Sequence, residues 1–504
     1  MQNLWEKFFL VSGSILFLIV FILMIVFDKQ VDRVLADSVL LLCNLAFLGM
    51  TGLLYFLIPH GKVRIISRPI LTMGILYLIL FILQIFWVSR TYFYTGWDVS
   101  LMRWRVDHIL HGGSMQEISA DVGYSIYPNN LFLFYVLYLV EKVALLFSVR
   151  QPYLVCIYLS CLSVNISCFL GNFILRKLSG SAFVRVLYTI VSTLFILFSP
   201  WIVIPYSDTF GMFFVVLGLW ALICVQRPVF KWPLLAFASI VGYLVKPTCL
   251  FPLFAGLLLY LPSLIASIRT KLKELCLIGA SVAIFLLTWP LVPHWVQHTF
   301  SFELLPELKI PYTHYIMMGM NKDGMGGFNG DDYALSVGIH NYDERKQAIR
   351  ERINYRLATY TREEKAKLFV DKLLLNFNDG TFAWTYEGAF FDEVFEHDNP
   401  VNELYKEIFY PDGAYYKIFR TVAQGIWMQI LLGLPFAALA GKEYAREKAA
   451  VMIVLAGLLA FVMLFEARAR YLYLYSPAFL ILSLCGYESL YCLIASRRRV
   501  KDCT

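Results

Sequence analysis

Blocks of about twenty consecutive apolar residues recur along this chain, and each has the length a helix needs to cross the hydrocarbon of a bilayer. One runs from Phe8 to Phe27 and another from Val39 to Ile58. Inside a bilayer every backbone polar group must be satisfied within the protein, which leaves helices or closed barrels as spanning structures. Continuous apolar runs without alternation select helices. Composition agrees: 59% of the 504 residues are hydrophobic and 16% are charged, whereas a soluble domain has roughly a quarter charged. The first block lacks a small-residue cleavage site before Asp28 to Arg33 and reads as a retained span.

The ten cysteines do not read as a disulfide framework. Cys43, Cys156, Cys161, Cys168 and Cys224 fall inside predicted spans, and no Cys-x-x-Cys pair supports a zinc ribbon or redox motif. The net charge of +7 is explained by basic helix ends and orientation in the membrane, not by nucleic acid. The basic clusters are Lys62/Arg64/Arg68, Arg176/Lys177/Arg185, Arg227/Lys231, Arg269/Lys271/Lys273, Lys442/Arg446/Lys448 and Arg497/Arg498/Arg499/Lys501. Short loops rich in Lys and Arg stay in the cytoplasm. With all six inside, Asp98, Asp208, Lys246, the segment 292–416 and Glu466 lie outside, and both termini are cytoplasmic. The runs at about 130–148 and 153–175 cannot then both cross. Glu141 and Lys142 interrupt the first, which favours a partial or interfacial segment.

The expected fold is an all-α polytopic membrane protein with about 12 spans, in a range of roughly 11 to 13, and an extracytoplasmic soluble loop domain. Residues 1–69 hold two N-terminal spans, 70–291 a transmembrane core, 292–416 the soluble domain, and 417–504 the C-terminal spans and a basic tail. The soluble segment contains a Gly-rich stretch at 324–332 that reads as a plain turn around Asp331 and Asp332. A charged stretch from Asp343 to Lys372 has helical spacing. Lys246-Pro247 splits one apolar region into two arms, because proline removes a donor and disfavours helix before it.

Ionisable groups near a membrane are costly to insert, so those kept at span ends point to function. Four clusters share the outer face: Asp98, Asp208, Lys246, and Glu466 with Arg468 and Arg470. Each alone has a structural reading as a helix start, a cap or a headgroup anchor. Together they suggest a site for a negatively charged, lipid-linked group. His108/His111 and His294/His298 have metal-compatible spacing but no completing glutamate, so no metal ligand is assigned. Trp384 and Tyr386 are placed either against a sugar ring or in the packing of the loop domain.

The elements Gly96-Trp97-Asp98, Tyr127 to Asn130, Pro205 to Thr209, Lys246 to Thr248 and Glu466 to Tyr471 resemble, in their order, the GT-C superfamily of membrane glycosyltransferases. They resemble most a group of Gram-positive integral membrane proteins with the same elements. The resemblance covers roughly residues 70 to 495, with the first two spans as an addition. It implies an inverting transferase in a bacterial cytoplasmic membrane. Such an enzyme moves sugar from a polyprenyl-phosphate or diphosphate donor to an extracytoplasmic cell-envelope glycan or glycolipid. In this reading Asp98 is the general base and Asp208 a second catalytic carboxylate. Lys246, Arg468 and Arg470 bind phosphate, while Glu466, Tyr127 and Tyr471 support them. The cofactor stays open, a divalent metal included. The competing reading is a transporter or flippase of lipid-linked saccharides, which would place ionisable groups along a path near the midplane.

Overall fold

The structure is a computed structural model that describes residues 2–27, 33–57, 69–115, 117, 123–388, 391–393, 399–441 and 443–501. The cluster Lys62/Arg64/Arg68 and Lys442 lie outside the described residues. The fold is all-helical, apart from a short antiparallel ladder that sets Tyr94 opposite Glu393 and Thr95 opposite Phe391. Twelve helical segments among the described residues are long and apolar enough to cross a membrane.

The chain opens with α1 (Gln2–Val26), α2 (Asp37–Leu57) and α3 (Pro69–Thr91), then the polar α4 (Trp97–Leu110). Next come α5 (Leu131–Leu146), α6 (Pro152–Leu178), α7 (Ala182–Ser192), α8 (Ser207–Cys224), α9 (Pro228–Val245), α10 (Phe251–Ala266), α11 (Ile268–Thr288) and α12 (Leu291–Phe300). The apolar stretch of α11 and α12 runs on to Phe300, so the polar segment begins after it, somewhat beyond residue 292. On α2 and α3 side chains such as Leu42, Leu57, Ile70 and Ile82 are exposed. Apolar side chains facing outward along whole helices are stable against lipid and not against water.

Contacts at the helix ends define two poles. At one, Glu6 of α1 pairs with Arg446, Ser179 donates to Glu488, and Lys177 lies over Tyr444. At the other, the end of α3, α4, and the starts of α6, α8 and α10 gather around Asp98 and Lys246. The short helix α5 both starts and finishes at this second pole. Its first turn follows Pro128 and Asn130, which line the cavity there. Near its other end Glu141 meets Cys156, one turn from Tyr153, whose ring packs on Tyr94. After α6 the chain returns through α7 and its π-helical extension to Leu197, an apolar unit of 182–197 shorter than the twelve.

The polar segment folds as α13 (Thr313–Gly319), α14 (Gly330–Gly338), α15 (Tyr342–Thr359), α16 (Arg362–Phe377) and α17 (Pro400–Phe409). The charged stretch forms two helices, α15 and α16. They divide at Thr361, whose hydroxyl accepts from Glu364 N–H at 3.1 Å while the Glu364 carboxylate accepts from Thr361 N–H at 2.9 Å, a reciprocal cap. The Gly-rich stretch is more than a plain turn. Asn329 caps α14, and buried Asp332 accepts from Arg356 at 2.7 and 2.9 Å. That bidentate charge-assisted pair ties α14 to α15.

The chain ends with α18 (Tyr416–Gly433), α19 (Ala445–Leu464) and α20 (Ser476–Lys501). Two buried tryptophans, Trp201 and Trp427, fasten the polar segment to the membrane helices through their indole N–H groups, and a third, Trp384, braces the segment internally. Trp201 donates to the Thr381 carbonyl at 3.0 Å, Trp384 to Phe409 at 2.8 Å and Trp427 to Phe377 at 2.8 Å. A buried indole needs such a partner. Trp384 is fully buried against Trp201 and Phe93. It is a packing residue, whereas Tyr386 is exposed on the cavity wall.

Candidate functional site

Where the polar segment covers the second pole it encloses a cavity of about 1880 Å³. Asp98, Tyr127, Lys246, Glu466, Arg468, Arg470 and Tyr471 all line it. Asp208 is buried at its floor, one residue beyond the lining Ser207.

Asp98 sits in the first turn of α4 after Trp97, whose φ of 53° is left-handed. A bulky side chain rarely holds that conformation without surrounding support. Here the Trp97 indole donates to the Glu387 carbonyl at 2.8 Å and its ring meets Tyr206 edge-on at 5.0 Å. The result is a carboxylate presented to the cavity, half-buried, with Tyr206 Oη donating to Asp98 Oδ2 at 3.2 Å. Asp98 makes no ion pair among the described residues.

Asp208 lies in the first turn of α8, where the helix dipole favours a carboxylate. It does not cap the helix. That place is taken by Tyr206, whose backbone N–H donates to Thr209 Oγ1 at 3.3 Å. Asp208 forms an ion pair with Lys246, and Arg470 Nε stands 3.7 Å from its Oδ2. Lys246 ends α9 just before Pro247 and lies 3.8 Å from the centroid of the Tyr471 ring. It is inward-facing and buried, so it is no headgroup anchor.

The loop after α19 carries Glu466, Arg468 and Arg470. The Arg468 backbone N–H donates to Asn376 Oδ1 at 3.0 Å, and Ala467 N–H donates to the Gly326 carbonyl at 2.7 Å. Gly326 has φ of +75°, and a Cβ there would meet the Lys372 side chain at 2.8 Å, so only glycine fits. Lys372 itself donates to the Gly319 carbonyl at 3.0 Å. Burial pushes its ammonium down to about 8, against the pull of Glu466. Glu466 accepts from Arg468 Nε at 3.0 Å and stands 2.9 Å from Nη2.

Sequence reasoning passed over Glu387. Its Oε2 stands 3.2 Å from Arg468 Nη1 and 3.1 Å from Arg470 Nε. It follows two left-handed residues, Phe382 and Ala383, in a turn tied by Asp379, which accepts from Thr381 and Ala383 N–H. No span end or helical spacing marks Glu387, so only its neighbours Trp384 and Tyr386 drew notice. Burial opposes the charge of both arginines. Even so, Glu387 with Glu466 holds the Arg468 guanidinium above its ordinary value, and Glu387 with Asp208 does so for Arg470. Arg470 Nη1 is buried without a hydrogen-bond partner, and its guanidinium lies 4.2 Å from the Trp97 ring centroid. Tyr127 lies among these charges. Burial, with Tyr333 and Asp98, pushes its phenol above the ordinary range.

The arrangement can hold an anion against guanidinium and ammonium groups while an unpaired carboxylate faces the same space. No group of three or more metal-binding side chains occurs among the described residues. Neither a curated protein nor a solved structure matches the chain. A family model described as "Conserved hypothetical integral membrane protein" matches residues 1–490, and the chain belongs to that family.

Proposed function

We propose that this protein is an inverting glycosyltransferase of the GT-C type. It would take sugar from a polyprenyl-phosphate or diphosphate donor and deliver it to a cell-envelope glycan or glycolipid, on the outer face of a bacterial cytoplasmic membrane. The observation that carries the reading is the pairing of unpaired Asp98 with Lys246, Arg468 and Arg470 around one large cavity.

A glycosyl phosphate has a good leaving group, so the demanding tasks are to deprotonate the acceptor and to stabilise charge on the phosphate. Asp98 takes the proton of the acceptor hydroxyl as its oxygen bonds to the anomeric carbon. The carbon–oxygen bond to phosphate breaks on the opposite face and its electron pair stays on the phosphate. Tyr206, by donating to Asp98, holds the carboxylate in one orientation. Arg470, with an unsatisfied Nη1, and Arg468 stabilise the departing anion. Lys246 is committed to Asp208 and acts by fixing that carboxylate and Arg470. Glu387 contacts both arginines at their donor atoms, so an incoming phosphate competes with it.

A transporter reading has less support. A second cavity lies at the opposite pole, and it shares no lining residue with the large one. The test is incubation of purified protein with a panel of radiolabelled polyprenyl-phosphate sugars and envelope acceptors. Label moving to acceptor in the wild type and not in Asp98→Asn supports the assignment. No transfer from any donor, with lipid-linked saccharide crossing reconstituted vesicles, replaces it with transport.

A further inference from the structure

The second cavity lies between the ends of α9, α10, α11 and α19 that point away from the large one. Its volume is about 430 Å³, and Lys231, Lys271, Arg446, Glu274 and Tyr260 line it. Lys231 and Lys246 mark opposite ends of α9, about 22 Å apart at the helical rise per residue.

The charges here do not balance as they do around Asp208. Lys231 is 9% exposed, yet it makes neither an ion pair nor a hydrogen bond among the described residues. Its ammonium lies 4.8 Å from the centroid of the Tyr260 ring, and the Arg446 guanidinium lies 4.9 Å from the same centroid. Glu274 lines the same cavity, and it and Glu447 act on Lys231 through space without forming an ion pair with it. Glu274 accepts from Trp232 Nε1 at 3.1 Å, and Glu6 accepts from Arg446 Nε at 2.9 Å. Lys271 adds a further cation from the exposed start of α11. A ring quadrupole is a weak substitute for a counter-ion, and the Lys231 stem is buried while its ammonium faces the cavity. Lys231, Lys271 and Arg446 face a single lining carboxylate, Glu274, and the cavity lies at the ends of four apolar helices. Basic pockets between membrane helices hold anionic headgroups.

We propose that this cavity binds the phosphate headgroup of an anionic phospholipid, with Lys231 as the main contact, Lys271 and Arg446 beside it, and Tyr260 as its apolar wall. The volume suits a headgroup and excludes a long saccharide.

The test is native mass spectrometry of the purified full-length protein, delipidated in detergent and titrated with phosphatidylglycerol or phosphatidylcholine. The wild type should retain one phosphatidylglycerol at about tenfold higher affinity than phosphatidylcholine, a difference of ~1.4 kcal/mol. Lys231→Met should lose that preference and Lys231→Arg should keep it, with the same melting temperature for all three. If Lys231→Met does not fold, Lys271→Met at the exposed position should still weaken the preference. Equal retention of phosphatidylglycerol by wild type and the folded methionine variants overturns the proposal. Displacement of the lipid by an equimolar amount of inorganic phosphate also overturns it, by assigning a free anion to the site.

Discussion

Helix α9 carries a buried lysine at each end, and the two have opposite surroundings. Lys246 is 8% exposed and Lys231 9%, so burial alone does not separate them. Lys246 faces Asp208 and the Tyr471 ring in a cavity roofed by the polar segment. Lys231 faces Tyr260, other cations and Glu274 in a cavity with no roof from that segment. The same residue type on one helix is therefore fixed in an ion pair at one pole and makes none among the described residues at the other. A buried cation with its partner inside the fold is machinery that can be lent to a substrate. A lysine without an ion pair among the described residues, in a cavity lined by more cations than acids, is open to an anion from outside the chain.

The sharpest way to break this comparison is to remove one group at each pole. Asp98→Asn keeps shape and hydrogen bonding but cannot accept a proton, so glycosyl transfer should fall by roughly 10²–10⁴-fold. Donor binding and melting behaviour should stay near wild type. Lys231→Met should leave transfer from a soluble panel of donors within about threefold of wild type. Asp98→Asn with full transfer would make Asp98 a structural helix start and Asp208 the leading base.

The second prediction asks which pole faces outward. A cysteine at Lys346, on α15 of the polar segment, should be labelled by an impermeant thiol reagent in intact cells, in a variant stripped of native cysteines. A cysteine at Lys273, on α11 near the basic pole, should be labelled after lysis alone. The reverse pattern would put the large cavity in the cytoplasm and remove the envelope acceptor from the proposal.

A third effect belongs to the roof of the large cavity. Buried His314 bonds Ser336 at 2.7 Å, and burial pushes its imidazole down to about 4. The unfolded state then binds more protons than the folded one between about pH 4 and pH 6.5, so stability falls as pH falls through that window. The loss is on the order of 3 kcal/mol once pH is below the folded value. Denaturant midpoints read between pH 7 and pH 4 should show it, and His314→Gln should flatten the slope. An unchanged slope would mean that other groups carry the acid sensitivity.

The smallest expected effect sharpens the idea of a cation lent to substrate. Glu387→Gln removes a competing charge from Arg468 and Arg470, and phosphate-bearing donor should bind roughly fivefold tighter, about 1 kcal/mol. Weaker binding in a folded variant would make Glu387 a necessary orienting partner of the arginines.

Much of the membrane architecture was legible in the chain, because a span is a local property. Twenty apolar residues must form a helix in lipid wherever they go. The helical period of Asp343 to Lys372 and the Thr361–Glu364 cap are local too. The region around α5 was harder. Its length and apolarity satisfy a span, and only contacts of Glu141 with Cys156 and of Tyr153 with Tyr94 put both of its ends at one pole. The chain returns from α6 to α8 through 182–197, an apolar unit shorter than the twelve, whose last turn is π-helical. For the site, Asp98, Asp208, Lys246, Arg468 and Arg470 were marked by an energetic anomaly, charge at the end of an apolar helix. Glu387 carried no such mark, since a glutamate in a polar loop costs nothing to expose.

The sequence by itself determined that this chain is a bundle of membrane-spanning helices with one polar segment, because hydrophobic transfer acts residue by residue along a helix. Tertiary structure decided which charges meet. Asp208 pairs with Lys246 across 38 residues, and Arg470 reaches Glu387 across the end of the polar segment, α18 and α19. It left Asp98 and Lys231 without an ion pair among the described residues. Pairing energies depend on distance and burial, and neither is written into any stretch of chain shorter than the fold.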